Sequence, residues 1–102
     1  MAIRVPTPDV SVVELVANLE KDATVDAINA AMKSAESKTF GYNDLPLVSI
    51  DFTHDSHSSI FDAGQTKVLG DKLVHVTSWY DNEWGFSNRM GDTAVAMGKL
   101  IK

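Results

Sequence analysis

Twelve consecutive residues, Ser78-Trp79-Tyr80-Asp81-Asn82-Glu83-Trp84-Gly85-Phe86-Ser87-Asn88-Arg89, hold two Trp, a Tyr, a Phe, two Asn, an acid pair and a Gly. Folding alone rarely gathers so many aromatic and amide groups at one strand-to-helix junction. Together they suit a site that packs on a planar ligand and hydrogen-bonds a polar substituent of it. Asn82 offers a donor pair and an acceptor, the complement of a carboxamide edge. The same side chain is also a good helix N-cap, and the two roles compete. Phe86, one helical turn beyond Asn82, could border a ring or join an apolar helix stripe. Tyr80 could line the same pocket or bury its ring. Glu83 at a helix start needs no ligand, because an acid there complements the helix dipole.

Elsewhere the chemistry is thinner. Arg4 precedes Val5-Pro6-Thr7-Pro8, a stiff segment able to hold a guanidinium fork toward a phosphate; an Arg near a terminus is otherwise a solvated charge. His54-Asp55-Ser56-His57-Ser58-Ser59 suggests a metal site from the two His with Asp51 or Asp55, or a Ser58 or Ser59 activated by His57. The spacing argues against both, since strand residues three apart point to opposite faces and no Gly-x-Ser-x-Gly elbow is present. No metal site and no catalytic residue is assigned.

The elements that must position these groups follow from periodicity. Val13, Leu15, Ala17 and Leu19 alternate with Glu14, Val16, Asn18 and Glu20, which predicts a strand with one better-buried face. Thr24 as N-cap, Asp26 in the first turn and the stripe Val25, Ile28, Met32, Ala35 predict a helix over 24–36 packed on a sheet. Gly41 and Pro46 bracket a loop. Val48, Ile50 and Phe52 predict a second strand, and 58–62 a third, short one. Strands at 65–69 and 72–79 flank Gly70-Asp71, a pair suited to a type II′ hairpin turn. The stripe Phe86, Met90, Ala94, Met97, Ile101 predicts a terminal amphipathic helix, weakened by Gly91 and Gly98. The fold class expected is α+β: an antiparallel sheet with one packed helix and a C-terminal amphipathic helix.

With 102 residues the chain is one domain at most, and its net charge of −5 comes with no basic cluster. Nucleic-acid binding, which needs cations to displace phosphate counterions, is therefore not expected. No apolar run is long enough for a bilayer, and nothing at the N-terminus resembles a signal peptide, so cytoplasmic residence is the default expectation. The absence of Cys excludes disulfides and thiolate chemistry within these residues.

Trp79-Tyr80-Asp81-Asn82-Glu83-Trp84-Gly85 resembles the C-terminal block of phosphorylating glyceraldehyde-3-phosphate dehydrogenases. Arg4 to Val13 and Asp55 to Ala63 resemble two further blocks, and all three occur in the family's order and spacing. The resemblance covers essentially the whole chain and implies that residues 1–102 form the C-terminal portion of the catalytic domain, a single partial domain. It implies an NAD-dependent oxidation of an aldehyde phosphate to an acyl phosphate in the intact subunit. There a Cys thiolate attacks the aldehyde, a His serves as acid-base, and phosphate releases the acyl group. It also implies that Asn82 holds the nicotinamide carboxamide, that Tyr80 and Phe86 border the cofactor, and that Arg4 binds the substrate phosphate. Phe86 departs from the family's usual Tyr, so any hydroxyl role is lost. None of His54, His57 and His75 sits in a context matching the catalytic His. The chain alone is expected to be inactive, to bind NAD weakly, and to associate with the remainder of a subunit and with copies of itself. The block of erythrose-4-phosphate dehydrogenases is similar, and a non-catalytic interaction module is the alternative from another class.

Overall fold

The computed structural model describes residues 1–101. In chain order the elements are β1 (Ser11–Asn18), α1 (Val25–Ser34), β2 (Phe40–Asn43), β3 (Ser59–Asp62), β4 (Lys67–Leu69), β5 (Leu73–Tyr80) and α2 (Trp84–Gly98), with 3-10 turns at Ser49–Phe52 and Ala63–Gln65. The sheet is organised around β5, whose β-branched and aromatic residues suit a pleated surface. β1 runs antiparallel along one side of β5, from Ser11 opposite Tyr80 to Asn18 opposite Leu73. β3 and β4 share the other side in succession, Ile60 opposite Trp79 and Lys67 opposite His75. β2 pairs with the outer side of β3.

The α+β class holds, with one difference in detail: β2 and β3 are parallel, so the sheet is mixed rather than wholly antiparallel. A second difference is larger. Residues 48–53, expected as a strand, form a 3-10 turn. The Asp51 carboxylate accepts from the Val48 N–H at 2.8 Å, while the Asp51 N–H donates to the Val48 carbonyl at 3.0 Å. That reciprocal pair gives the backbone a local alternative to a ladder. The missed strand is β2, inside the segment expected to be a loop. The hairpin loop is three residues, Gly70 to Lys72, rather than two, with Leu69 opposite Leu73 and Gly70 at φ 63°.

Neighbouring strand residues point to opposite faces, so Ile60 and Phe61 serve different sides of the sheet. On the Ile60 face, Val10, Phe52 and Ile60 form the core cluster, with Leu47 and Trp79 packed against it. Phe52 and Trp79 stack with centroids 5.5 Å apart, and the Trp79 indole N–H donates to Asp62 Oδ2 at 2.9 Å. On the other face Phe61 stacks with Tyr42, and α1 is tied down by Asn29, which donates to the Ala63 carbonyl and accepts from the Thr66 hydroxyl. Thr24 caps α1 as expected, accepting from the Ala27 N–H. Yet α1 buries no residue completely; Ile28 and Met32 are only half-buried. The better-buried face expected of β1 is likewise absent within this chain, since Val13 and Leu15 on one face and Val12 and Val16 on the other are all exposed. Among the described residues, no helix is long and apolar enough to cross a membrane.

Candidate functional site at the junction of β5 and α2

The junction is organised by Asp81, 1% exposed. Its Oδ1 accepts from the N–H groups of Glu83 (3.0 Å) and Trp84 (2.8 Å), and its Oδ2 accepts from the His54 N–H (2.9 Å). Helix N–H groups have no partner of their own in the first turn, so Asp81 performs the cap. Burial pushes the Asp81 carboxyl up, but the hydrogen bonds from Trp84, His54, Asp9 and Glu83 outweigh it and hold the pKa at about 2. Of the two roles open to Asn82, capping is therefore taken by its neighbour, and the Asn82 side chain stands exposed beside the cap.

α2 comes unusually close to the loop before β3. A Cβ on Gly85 would lie 2.8 Å from the His57 carbonyl oxygen, so only Gly permits the approach. One turn on, Arg89 donates to the Ser58 hydroxyl at 3.1 Å and pairs with Asp92, which Lys38 also reaches. His57 holds Asp55 at 2.6 Å through Nδ1, whereas the His54 ring tilts against Trp84 at 5.3 Å. The two His thus serve separate contacts. Ser59 bonds Ser78 across β3 and β5, and neither Ser58 nor Ser59 contacts His57 through its hydroxyl. Among the described residues no group of three or more His, Cys, Asp or Glu is placed to hold a metal.

Tyr80 is half-buried at the end of β5, opposite Ser11 of β1. Phe86 is 67% exposed in the first turn of α2, so it is not part of this chain's core. Arg4 is exposed on an arm without regular structure. A small cleft of about 150 Å³ at the junction is lined by Asp9, His54, Asp81, Glu83, Trp84 and Ser87. Tyr80, Asn82 and Phe86 border the same junction without lining that cleft, and Arg4 does not reach it. The residue that sequence reasoning passed over is Asp81. Its signal was available: an Asp three residues before Trp84, at the end of a strand, is an N-cap pattern.

A sequence profile described as Glyceraldehyde 3-phosphate dehydrogenase, C-terminal domain, matches residues 1–82. The glyceraldehyde-3-phosphate dehydrogenase of Cereibacter sphaeroides is 54% identical over 105 residues, covering 99% of this chain and 32% of the relative. That of Xanthobacter flavus is 54% identical over 97% of the chain and 31% of the relative, and that of Pseudomonas aeruginosa 52% identical over 95% and 29%. The chain belongs to the glyceraldehyde-3-phosphate dehydrogenase family, within its C-terminal domain. It spans about a third of the length of these relatives.

Proposed function

We propose that this chain supplies binding groups to an NAD-dependent, phosphorylating oxidation of glyceraldehyde 3-phosphate. The observation that carries the proposal is the division of labour at the junction. Asp81 caps α2, and so the amide of Asn82 is left to offer a donor and an acceptor to a ligand. NAD, when bound, would accept the hydride. Asn82 would fix its carboxamide, and Tyr80 and Phe86 would border the ring. Arg4 would contribute one arm of a phosphate site. With no Cys among its 102 residues, the chain holds no thiol to attack the aldehyde, and that nucleophile has to come from another part of the protein. Its exposed apolar surfaces on β1 and α2 suit contacts with the rest of a subunit and with further copies.

Two measurements test this. The purified chain with NAD, aldehyde and phosphate shows no turnover; turnover abolished by Asn82→Ala or Arg4→Ala would overturn the assignment of the nucleophile. Second, these residues are grafted in place of the matching third of the Cereibacter sphaeroides enzyme. There Asn82→Ala lowers the NAD-dependent rate by roughly 10- to 100-fold, the loss of one or two good hydrogen bonds. Arg4→Ala acts mainly on KM for phosphate-bearing substrate. Unchanged kinetics in both variants would refute the roles given to these residues.

A further inference from the structure

Capping explains only half of Asp81. A helix start needs one side-chain oxygen, which Ser or Thr supplies without burying a charge. Asp81 brings two, and it is 1% exposed. Oδ1 alone accepts both first-turn N–H groups, from Glu83 at 3.0 Å and from Trp84 at 2.8 Å. Oδ2 instead reaches the N–H of His54 at 2.9 Å, 27 residues away in the chain. His54 holds φ at 64°, a left-handed conformation that is costly for a non-glycine residue and persists where the surroundings impose it. Its ring lies 5.3 Å from that of Trp84, whose N–H is bound by Oδ1. The turn after Phe52 and the first turn of α2 are therefore joined twice, by a carboxylate and by an aromatic contact.

Asn82 sits inside this arrangement. The Asp81 carbonyl accepts the first bond of α2, from the Gly85 N–H at 3.2 Å, and Oδ1 closes a ring over Asn82 to Glu83. On the strand side, Tyr80 is held opposite Ser11 of β1. The backbone of Asn82 is thus fixed from both directions, and its exposed side chain keeps only its own rotamers. A hydrogen-bonding group aimed beforehand loses less freedom on binding and places its ligand more accurately. We propose that Asp81 is a positioning residue, an inference that rests on the role given to Asn82. Its second oxygen anchors the start of α2 to the His54 turn and so aims the Asn82 amide at the nicotinamide carboxamide. Buried as it is, Asp81 does not itself meet the cofactor.

Asp81→Asn and Asp81→Ser separate the two oxygens. Each keeps an oxygen able to cap α2, but neither accepts from His54, since the Asn turns an NH2 toward that N–H and the single Ser oxygen is engaged by the cap. In the Cereibacter sphaeroides enzyme carrying these residues in place of its own matching third, each variant lowers the NAD-dependent rate roughly 3- to 10-fold, as for one positioning hydrogen bond lost. A double-mutant cycle with Asn82→Ala is decisive. Once the Asn82 amide is gone, Asp81→Asn has little further effect on that rate. Losses that multiply, or an Asp81→Asn rate equal to wild type, overturn the proposal and leave Asn82 its role; an Asn82→Ala without effect overturns both. In the full chain, NMR amide exchange at His54 speeds several-fold in Asp81→Asn while the amides of Glu83 and Trp84 stay protected. A His54 amide that exchanges freely in the wild-type chain overturns the proposal without any variant.

Discussion

The junction around Asp81 follows the end of β5, and β1 pairs along the whole length of that strand, yet the two regions are held in opposite ways. At the junction, one carboxylate ties three backbone N–H groups, Phe52 and Trp79 stack beneath it, and Gly85 lets α2 press against His57. Along β1 the backbone ladder is complete over eight residues, but Leu15 is 54% exposed and Val16 60%. α2 repeats the contrast within one helix. It is fastened between Gly85 and Asp92, whereas Val95 and Met97 near its end stand in solvent. Apolar alternation therefore specifies that a strand or helix forms and which residues share a face. Whether that face is covered depends on what else the chain can bring to it.

The comparison breaks most sharply with paired truncations. Phe52→Ala, in the cluster under the junction, costs about 3–5 kcal/mol by denaturant unfolding, because it removes a buried ring and leaves a cavity. A cost near zero would mean that this cluster is not the stabilising centre. Gly85→Ala comes next at roughly 1–3 kcal/mol, since the added methyl meets backbone rather than a movable side chain; the amides of Glu83 and Trp84 should lose exchange protection with it. Leu15→Ala is the smallest, within about 0.5 kcal/mol, as expected where no burial is lost. If Leu15→Ala instead destabilised strongly and did so in proportion to protein concentration, β1 would be covered by another copy in solution, and its exposure would belong to the isolated chain only.

Much of this fold was legible in the sequence because the determining interactions are local. Thr24 caps α1 three residues from its partner, Gly70 supplies the positive φ of a tight loop, and the alternation of β1 and β5 needs no knowledge of neighbours. Two of the departures have long-range or competing causes. Gly41 suggested a loop, but a Cβ there would lie 3.2 Å from the His57 ring and 3.3 Å from Ile60 Cγ1, so the glycine serves close packing inside β2. Val48, Ile50 and Phe52 alternate like a strand, yet only Phe52 is buried, and Asp51 closes the turn on itself. The family blocks around Arg4, Ser58 and Asn82 were likewise readable, because they are contiguous stretches of residue identity.

Residue identities alone were enough for the family and for the order and type of most elements, and they named the residues proposed to meet a nicotinamide amide or a phosphate. Tertiary structure decided how those residues divide the work. Asp81 and Asn82 are adjacent and both are good caps, and the choice fell to Asp81 because the His54 N–H, 27 residues away, completes its set of donors. The same closure placed Asp9 and Asp81 on one cleft and set β2 parallel to β3. Contacts between residues a few positions apart follow from backbone geometry alone. A contact across tens of residues forms only when the whole chain offsets the entropy of closing the loop, and that sum is not written in any one segment.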